Sequence, residues 1–140
     1  MQATNPELRS QEEVRKKIAV DFLNLLGEQK FKEGLHYFAP DCLTHNPYIR
    51  GGMEALTDAM IEANKEMRQQ SPNGTFSIKH ALADGDMVAV HTELLNAKDI
   101  PNEGGLRQVH LFRFQGDKIV EYWDISQMVT ANLPNTPGAF

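Results

Sequence analysis

The sequence predicts an α+β fold, with helices first and a meander of antiparallel strands curled around them. Two observations carry that prediction. Apolar residues recur at three and four positions up to about residue 70, then at alternate positions from about residue 74, so the period changes from about 3.6 to 2. Turn signals at Asp84-Gly85 and Gly116-Asp117 divide the second half into two hairpins. A length of 140 residues suits one domain with irregular stretches at 1–9 and 132–140.

Each element has its own signal. Ser10-Gln-Glu-Glu13 reads as a capping box, so the first helix is expected to start there after a loose lead-in. Val14, Ile18, Phe22, Leu25 and Leu26 follow at helical spacing, and Gly27 ends the run. A shorter helix is expected through Phe31, Leu35 and Phe38, stopping before Pro40, with an extended piece from Asp41 to Pro47. Met53, Leu56, Met60, Ala63 and Met67 form one face of a helix from about Gly52 to Arg68. Strands follow around Phe76 to Leu82 and from Met87 to Leu95, with a loop from Lys98 to Gly105. Val109–Phe114 and Ile119–Met128 form the last hairpin.

Composition excludes several classes. Net charge is −5 with no basic cluster, which argues against nucleic acid or an anionic membrane surface as partner. Mean hydropathy is −0.45, and no apolar run approaches the ~20 residues of a spanning helix. The opening residues show neither a basic nor an apolar leader segment. Cys42 is the single cysteine, so no internal disulfide forms and no cysteine pair can hold zinc. A cytoplasmic location is the expectation.

The chemistry-bearing candidates lie in the strands. Asp124 follows Trp123 inside an apolar strand, where a partly buried carboxylate acquires a raised pKa and can serve as general acid or base. An Asp at a solvent-facing strand position is the bland alternative. His45, His91 and His110 are each open to a structural reading, as turn cap, core residue or sheet position. His36 and His80 are weaker candidates.

Thr44-His45-Asn46-Pro47, Ala83-Asp84-Gly85-Asp86-Met87-Val88-Ala89-Val90-His91, and Phe112-Arg113-Phe114 with Gly116 to Asp124 together resemble the SnoaL-like polyketide cyclase family of the NTF2-like superfamily. The resemblance runs from about residue 10 to residue 130. It implies an α+β cone with a strongly curved antiparallel sheet, no cofactor, and frequent homodimers through the sheet. It also implies an acid/base aspartate and a nearby histidine for intramolecular aldol condensation, roles that fall on Asp124 and His110.

Strand register is at odds with that pairing. A two-residue Gly116-Asp117 loop pairs Gln115 with Lys118 and sets His110 opposite Trp123, which turns Asp124 to the other face. Only a longer turn or a bulge brings both into one cavity. By the same counting, an Asp84-Gly85 loop sets His91 opposite Ile78 and points it inward. The apolar outer face, assigned to Val88, Val90, Val109 and Leu111, predicts a homodimer.

The resulting expectation is a cofactor-free, metal-free enzyme acting on a small apolar or aromatic carbonyl compound by aldol-type cyclisation or isomerisation. Asp124 removes a proton, and His110 with His91 hydrogen-bonds the enolate. His45 and Asn46 orient the substrate, and Trp123, Tyr122, Phe112 and Phe114 form the wall. The competing reading is a non-catalytic small-molecule-binding or oligomerisation module on the same fold. A metal triad of histidines lacks His-x-His or His-x-x-x-His spacing. An Asp-Arg-Asp epoxide hydrolase cluster is not apparent either, because Arg107 and Arg113 fall on the face opposite His110.

Overall fold

The computed structural model describes residues 5–70, 72–95, 104–130 and 132–140. Helix α1 spans Pro6–Gly27, a 3₁₀ helix spans Phe31–Tyr37, and strand β1 spans Phe38–Thr44. Helix α2 spans Met53–Gln70. The remaining strands are β2 (Thr75–Asp84), β3 (Met87–Leu95), β4 (Gly105–Gln115) and β5 (Lys118–Val129), followed by a 3₁₀ turn at Thr136–Gly138. The sheet order is β1-β5-β4-β3-β2, with β1 parallel to β5 and every other pair antiparallel. This is an α+β, NTF2-like fold with a curved mixed sheet. The sequence anticipated the antiparallel strands but not the parallel one. Pro40 is tolerated inside β1 because that strand lies at the sheet edge.

Helix α1 begins earlier than the capping box suggests. Asn5 accepts the Glu7 N–H at 2.9 Å, and Pro6 occupies the first turn, where its missing N–H costs nothing. Ser10 therefore lies within the helix, and the lead-in is shorter than 1–9. At the other end, Gln29 takes the left-handed conformation, at φ 63°. Gly27 serves a packing need instead, since a Cβ there would stand 2.6 Å from the Phe76 ring.

Both hairpins turn on a glycine followed by an aspartate. Gly85 and Gly116 have φ of 61° and 59°, the left-handed region that glycine enters without strain. The Gly116-Asp117 loop and its Gln115–Lys118 pair are as expected. The first loop is Gly85-Asp86, one residue later than expected, because Asp84 pairs with Met87. Glu12 and Arg15 of α1 bind these turns. Glu12 accepts the Gly85 N–H at 2.9 Å, and Arg15 donates to the carbonyls of Gly85 and Gly116 at 2.8 and 3.2 Å. The loop expected over Lys98–Gly105 lies largely outside the described residues, and β4 already begins at Gly105.

The core fills the concave side of the sheet. Phe22 of α1 meets Phe38, Phe112 and Tyr122 edge-to-face, with ring centroids 4.8 to 6.0 Å apart. Ala19, Leu23, Leu56 and Ile119 complete it, together with Val88 and Val90, which were expected on the outer face. Residue parity explains the difference. Lys79 is an extra residue in β2, and past it Ala81 and Ala83 face the core while His80 and Leu82 face out. Among the described residues, no helix is long and apolar enough to cross a membrane.

Candidate active site

A second bulge builds the site. Between Arg113 and Phe114 the register shifts, so that Arg113 faces Glu121 and Phe114 faces Ile119. Val120 is the extra residue. Beyond it, His110 pairs with Asp124 and Phe112 with Tyr122, and all four side chains point to the concave side. A regular ladder would have sent Asp124 outward. The inserted residue reconciles the two-residue turn with a shared face for aspartate and histidine.

Asp124 and His110 are cross-strand neighbours, but each is held by other partners. Asn46 Nδ2 donates to Asp124 Oδ2 at 2.7 Å. The amide is aimed by its own turn, since Asn46 Oδ1 accepts the Tyr48 N–H at 2.9 Å. Asp124 Oδ1 is buried with no hydrogen-bond partner among the described residues. Burial raises the Asp124 pKa, against the opposing effect of the Asn46 hydrogen bond.

His110 is 3% exposed. Its Nε2 lies 2.9 Å from Thr92 Oγ1 and its Nδ1 lies 2.8 Å from the Tyr122 hydroxyl. Burial pushes its pKa down to about 4, so the ring is neutral at ordinary pH. A neutral imidazole donates from one nitrogen and accepts at the other. If Thr92 donates to Nε2, then Nδ1–H donates to the Tyr122 oxygen, and the phenolic hydrogen is left for another acceptor. Burial, with Asp124 nearby, keeps the Tyr122 pKa well above its ordinary value, so Tyr122 stays a donor.

These groups border a cavity of about 210 Å³ between α1, α2 and the sheet. Leu23, Leu26, Met60, Met67, Phe76 and Leu106 line its apolar part. Its polar lining is Asn64, Arg68, Gln108, His110, Tyr122 and Asp124. Gln108 donates to Ser126 Oγ at 3.0 Å. An apolar cavity with a few convergent polar groups is the usual form of a small-molecule site.

Several expected site residues lie elsewhere. His91 was expected to point inward opposite Ile78, but the Gly85-Asp86 loop sets it opposite His80, and the Lys79 bulge, with Ile78 kept to the core, turns that pair to the outer face. There the two rings stack at 5.3 Å with Nδ1 atoms 3.1 Å apart. His45 also faces outward, stacked on Trp123 at 4.6 Å, with Nε2 2.7 Å from Glu121. Glu121 in turn accepts from Arg113 Nε at 2.9 Å, and these two contacts hold its carboxyl below the ordinary range. Trp123 is thus not a cavity wall. Phe112 and Phe114 are buried in the core and do not border the cavity. Cys42 is buried as well, and burial pushes its thiol up to about 11, which removes it as a nucleophile. Among the described residues, no three His, Cys, Asp or Glu side chains converge as metal ligands do.

Sequence reading missed Thr92, Gln108 and Arg68. Gln108 was within reach, since it lies two residues from His110 and shares its face. Thr92 was hidden by the misassigned parity of its neighbour His91.

The SnoaL-like domain family matches residues 19–122, most of the chain, a span that includes Asn46, Thr92, His110 and Tyr122 and stops two residues before Asp124. The chain belongs to the SnoaL-like family. No curated protein matches significantly. Among solved structures, a proposed polyketide cyclase from Bacillus cereus is 17% identical, with a TM-score of 0.68 over 88% of this chain and 81% of that one. AclR of Streptomyces galilaeus, a proposed hydroxylase, is 16% identical, with a TM-score of 0.66 over 84% of this chain and 81% of that one. IdmH of Streptomyces antibioticus, a proposed polyketide cyclase, is 17% identical, with a TM-score of 0.62 over 81% and 91%. At such identities these likenesses speak for the SnoaL-like fold alone, and the chemistry rests on the residues of the site.

Proposed function

We propose that this SnoaL-like protein is an enzyme that removes a proton α to the carbonyl of a small apolar or aromatic compound, without a cofactor. The observation that carries the reading is the Asp124 carboxylate. It is half-buried in an apolar cavity, held at one oxygen by Asn46 and unpartnered at the other among the described residues. Burial raises its proton affinity toward that of a useful base.

In the proposed reaction, the α C–H bond breaks and its proton passes to Asp124 while the electron pair moves onto the carbonyl oxygen. Tyr122 donates its phenolic hydrogen bond to that oxygen, where a fixed donor away from water is worth most. His110 and Thr92 act as positioning residues that orient the Tyr122 hydroxyl. The carbanion then attacks a second carbonyl of the same molecule, forming a C–C bond, and the new alkoxide takes the proton back from Asp124. Return of the proton to a different carbon instead gives an isomerisation. Membership in the SnoaL-like family supports this class.

We also propose a homodimer through the convex face of the sheet, where Leu82, Val109 and Ile125 are 69%, 38% and 55% exposed.

Proton abstraction is testable without the natural substrate. Exchange of the α-protons of 2-tetralone for deuterium, followed by NMR, should be accelerated by the wild-type protein. Asp124→Asn keeps the shape and should lose about a hundredfold or more, and Tyr122→Phe about tenfold to a hundredfold. Exchange by Asp124→Asn at the wild-type rate would refute the assignment.

A further inference from the structure

Arg68 lies in the last turn of α2 and borders the same cavity as Asp124. Its Nη1 donates to the Pro72 carbonyl at 3.2 Å, whereas its Nε is buried with no hydrogen-bond partner among the described residues. A buried guanidinium N–H left unpaired is costly, and arginine cannot shed its proton to relieve the cost. With Nη1 engaged, the guanidinium edge left over is the one formed by Nε and Nη2. Two parallel N–H groups on such an edge match the two oxygens of a carboxylate.

The cavity contains a second charge, and the relation between the two is informative. Asp124 is the one acidic side chain among the described lining residues, yet Arg68 forms no ion pair with it. Nor does Arg68 figure among the groups that shift the Asp124 carboxyl. The cation and the base therefore both border the cavity without pairing, with apolar lining such as Met67, Phe76 and Leu106 also present. That lack of pairing preserves the base, because an arginine against Asp124 would lower its proton affinity.

We infer that the cavity selects compounds bearing both a carboxylate and a carbonyl. Arg68 seats the carboxylate, the apolar lining takes the body of the molecule, and the carbonyl lies at Asp124 and Tyr122. The inference rests on the proposed reading of this cavity as the ligand site, and it adds the acid group as the feature by which the ligand is recognised.

A matched pair of probes tests it. 2-Naphthylacetate and 2-naphthylacetamide share their shape and differ in charge, and calorimetric titration gives the affinity of each. Wild-type protein should bind the acetate about tenfold more tightly or better, the scale of a hydrogen-bonded charge pair. Arg68→Met should erase that preference, and Arg68→Lys should restore part of it, a point charge replacing the fork. Asp124→Asn should retain the preference. Unchanged thermal melting shows that each variant is folded.

Equal binding of both probes by the wild type would overturn the inference, as would a preference that survives Arg68→Met or no binding of either probe. Failure of the proton-abstraction reading looks different: the acetate preference would persist with its Arg68 dependence, while α-proton exchange by the wild type would not exceed the uncatalysed rate.

Discussion

His110 shows what a single residue contributes when both of its ring nitrogens are engaged. In the proposed reaction neither nitrogen is free for a substrate oxygen, and its contribution passes through the Tyr122 hydroxyl. Its depressed pKa also ties folding to pH. The unfolded ring takes a proton near 6.5 and the folded ring only near 4, so stability is fully present above about 6.5 and is lost as pH falls toward 4. Asp124 has the opposite sign, since its raised folded pKa favours the folded state as the carboxyl protonates. In urea melts, the wild type should lose roughly 2 kcal/mol more between pH 7 and pH 4.5 than His110→Gln does. Equal losses would remove His110 as the source. Thr92→Val, which leaves Nε2 without its partner, should cost about 1–3 kcal/mol by the same assay at pH 7. Asp124 and His110 could be named from the sequence because their types stand out in apolar strands. Thr92 could not, because it looks like an ordinary strand residue until the fold places it, and Asn46 was named for orienting a substrate and not for holding Asp124.

The decisive element-scale features are two single-residue bulges, at Lys79 and Val120, and neither leaves a mark in the sequence. Val120 is β-branched in an apolar run and reads as a regular strand position. Counting by twos therefore gives the right turn but the wrong face for everything beyond it. In the first hairpin the turn itself lies one residue later than expected, and together with the Lys79 bulge this made His91 look inward. By contrast, the helix at Met53–Gln70 was legible because its apolar face repeats over four turns. The glycines yield a graded prediction. Gly116 has a left-handed φ but open space around it, so Gly116→Ala should cost about 1–2 kcal/mol of conformational strain. At Gly105 a Cβ would stand 2.1 Å from the Leu94 carbonyl oxygen, so Gly105→Ala forces β3 and β4 apart and should cost more. Thermal melts of both variants check the order, and a reversed order would contradict the strand spacing.

At the scale of the whole molecule, the α+β class followed from the change of apolar period, whereas the parallel pairing of β1 did not. That strand is short, contains Pro40 and has no clean alternation, so only its contact with β5 identifies it. The outer face carries exposed apolar residues, although they are Leu82, Val109 and Ile125 and not Val88 and Val90, and they sit beside the polar His80, His91, Arg113 and Glu121. Sedimentation should show a dimer at micromolar concentration and a folded monomer for Ile125→Glu, because a charge at a dry interface is costly. A monomeric wild type would refute the proposed assembly. The same face determines what the chain's optical signal can report. Its only tryptophan, Trp123, lies beneath the His45 ring and outside the cavity. Indole emission will then be blind to a compound entering beside Asp124. It will change if the proposed second copy covers the sheet. Intrinsic fluorescence in this protein is thus a gauge of the proposed assembly, and ligand titrations need a reporter attached to the ligand.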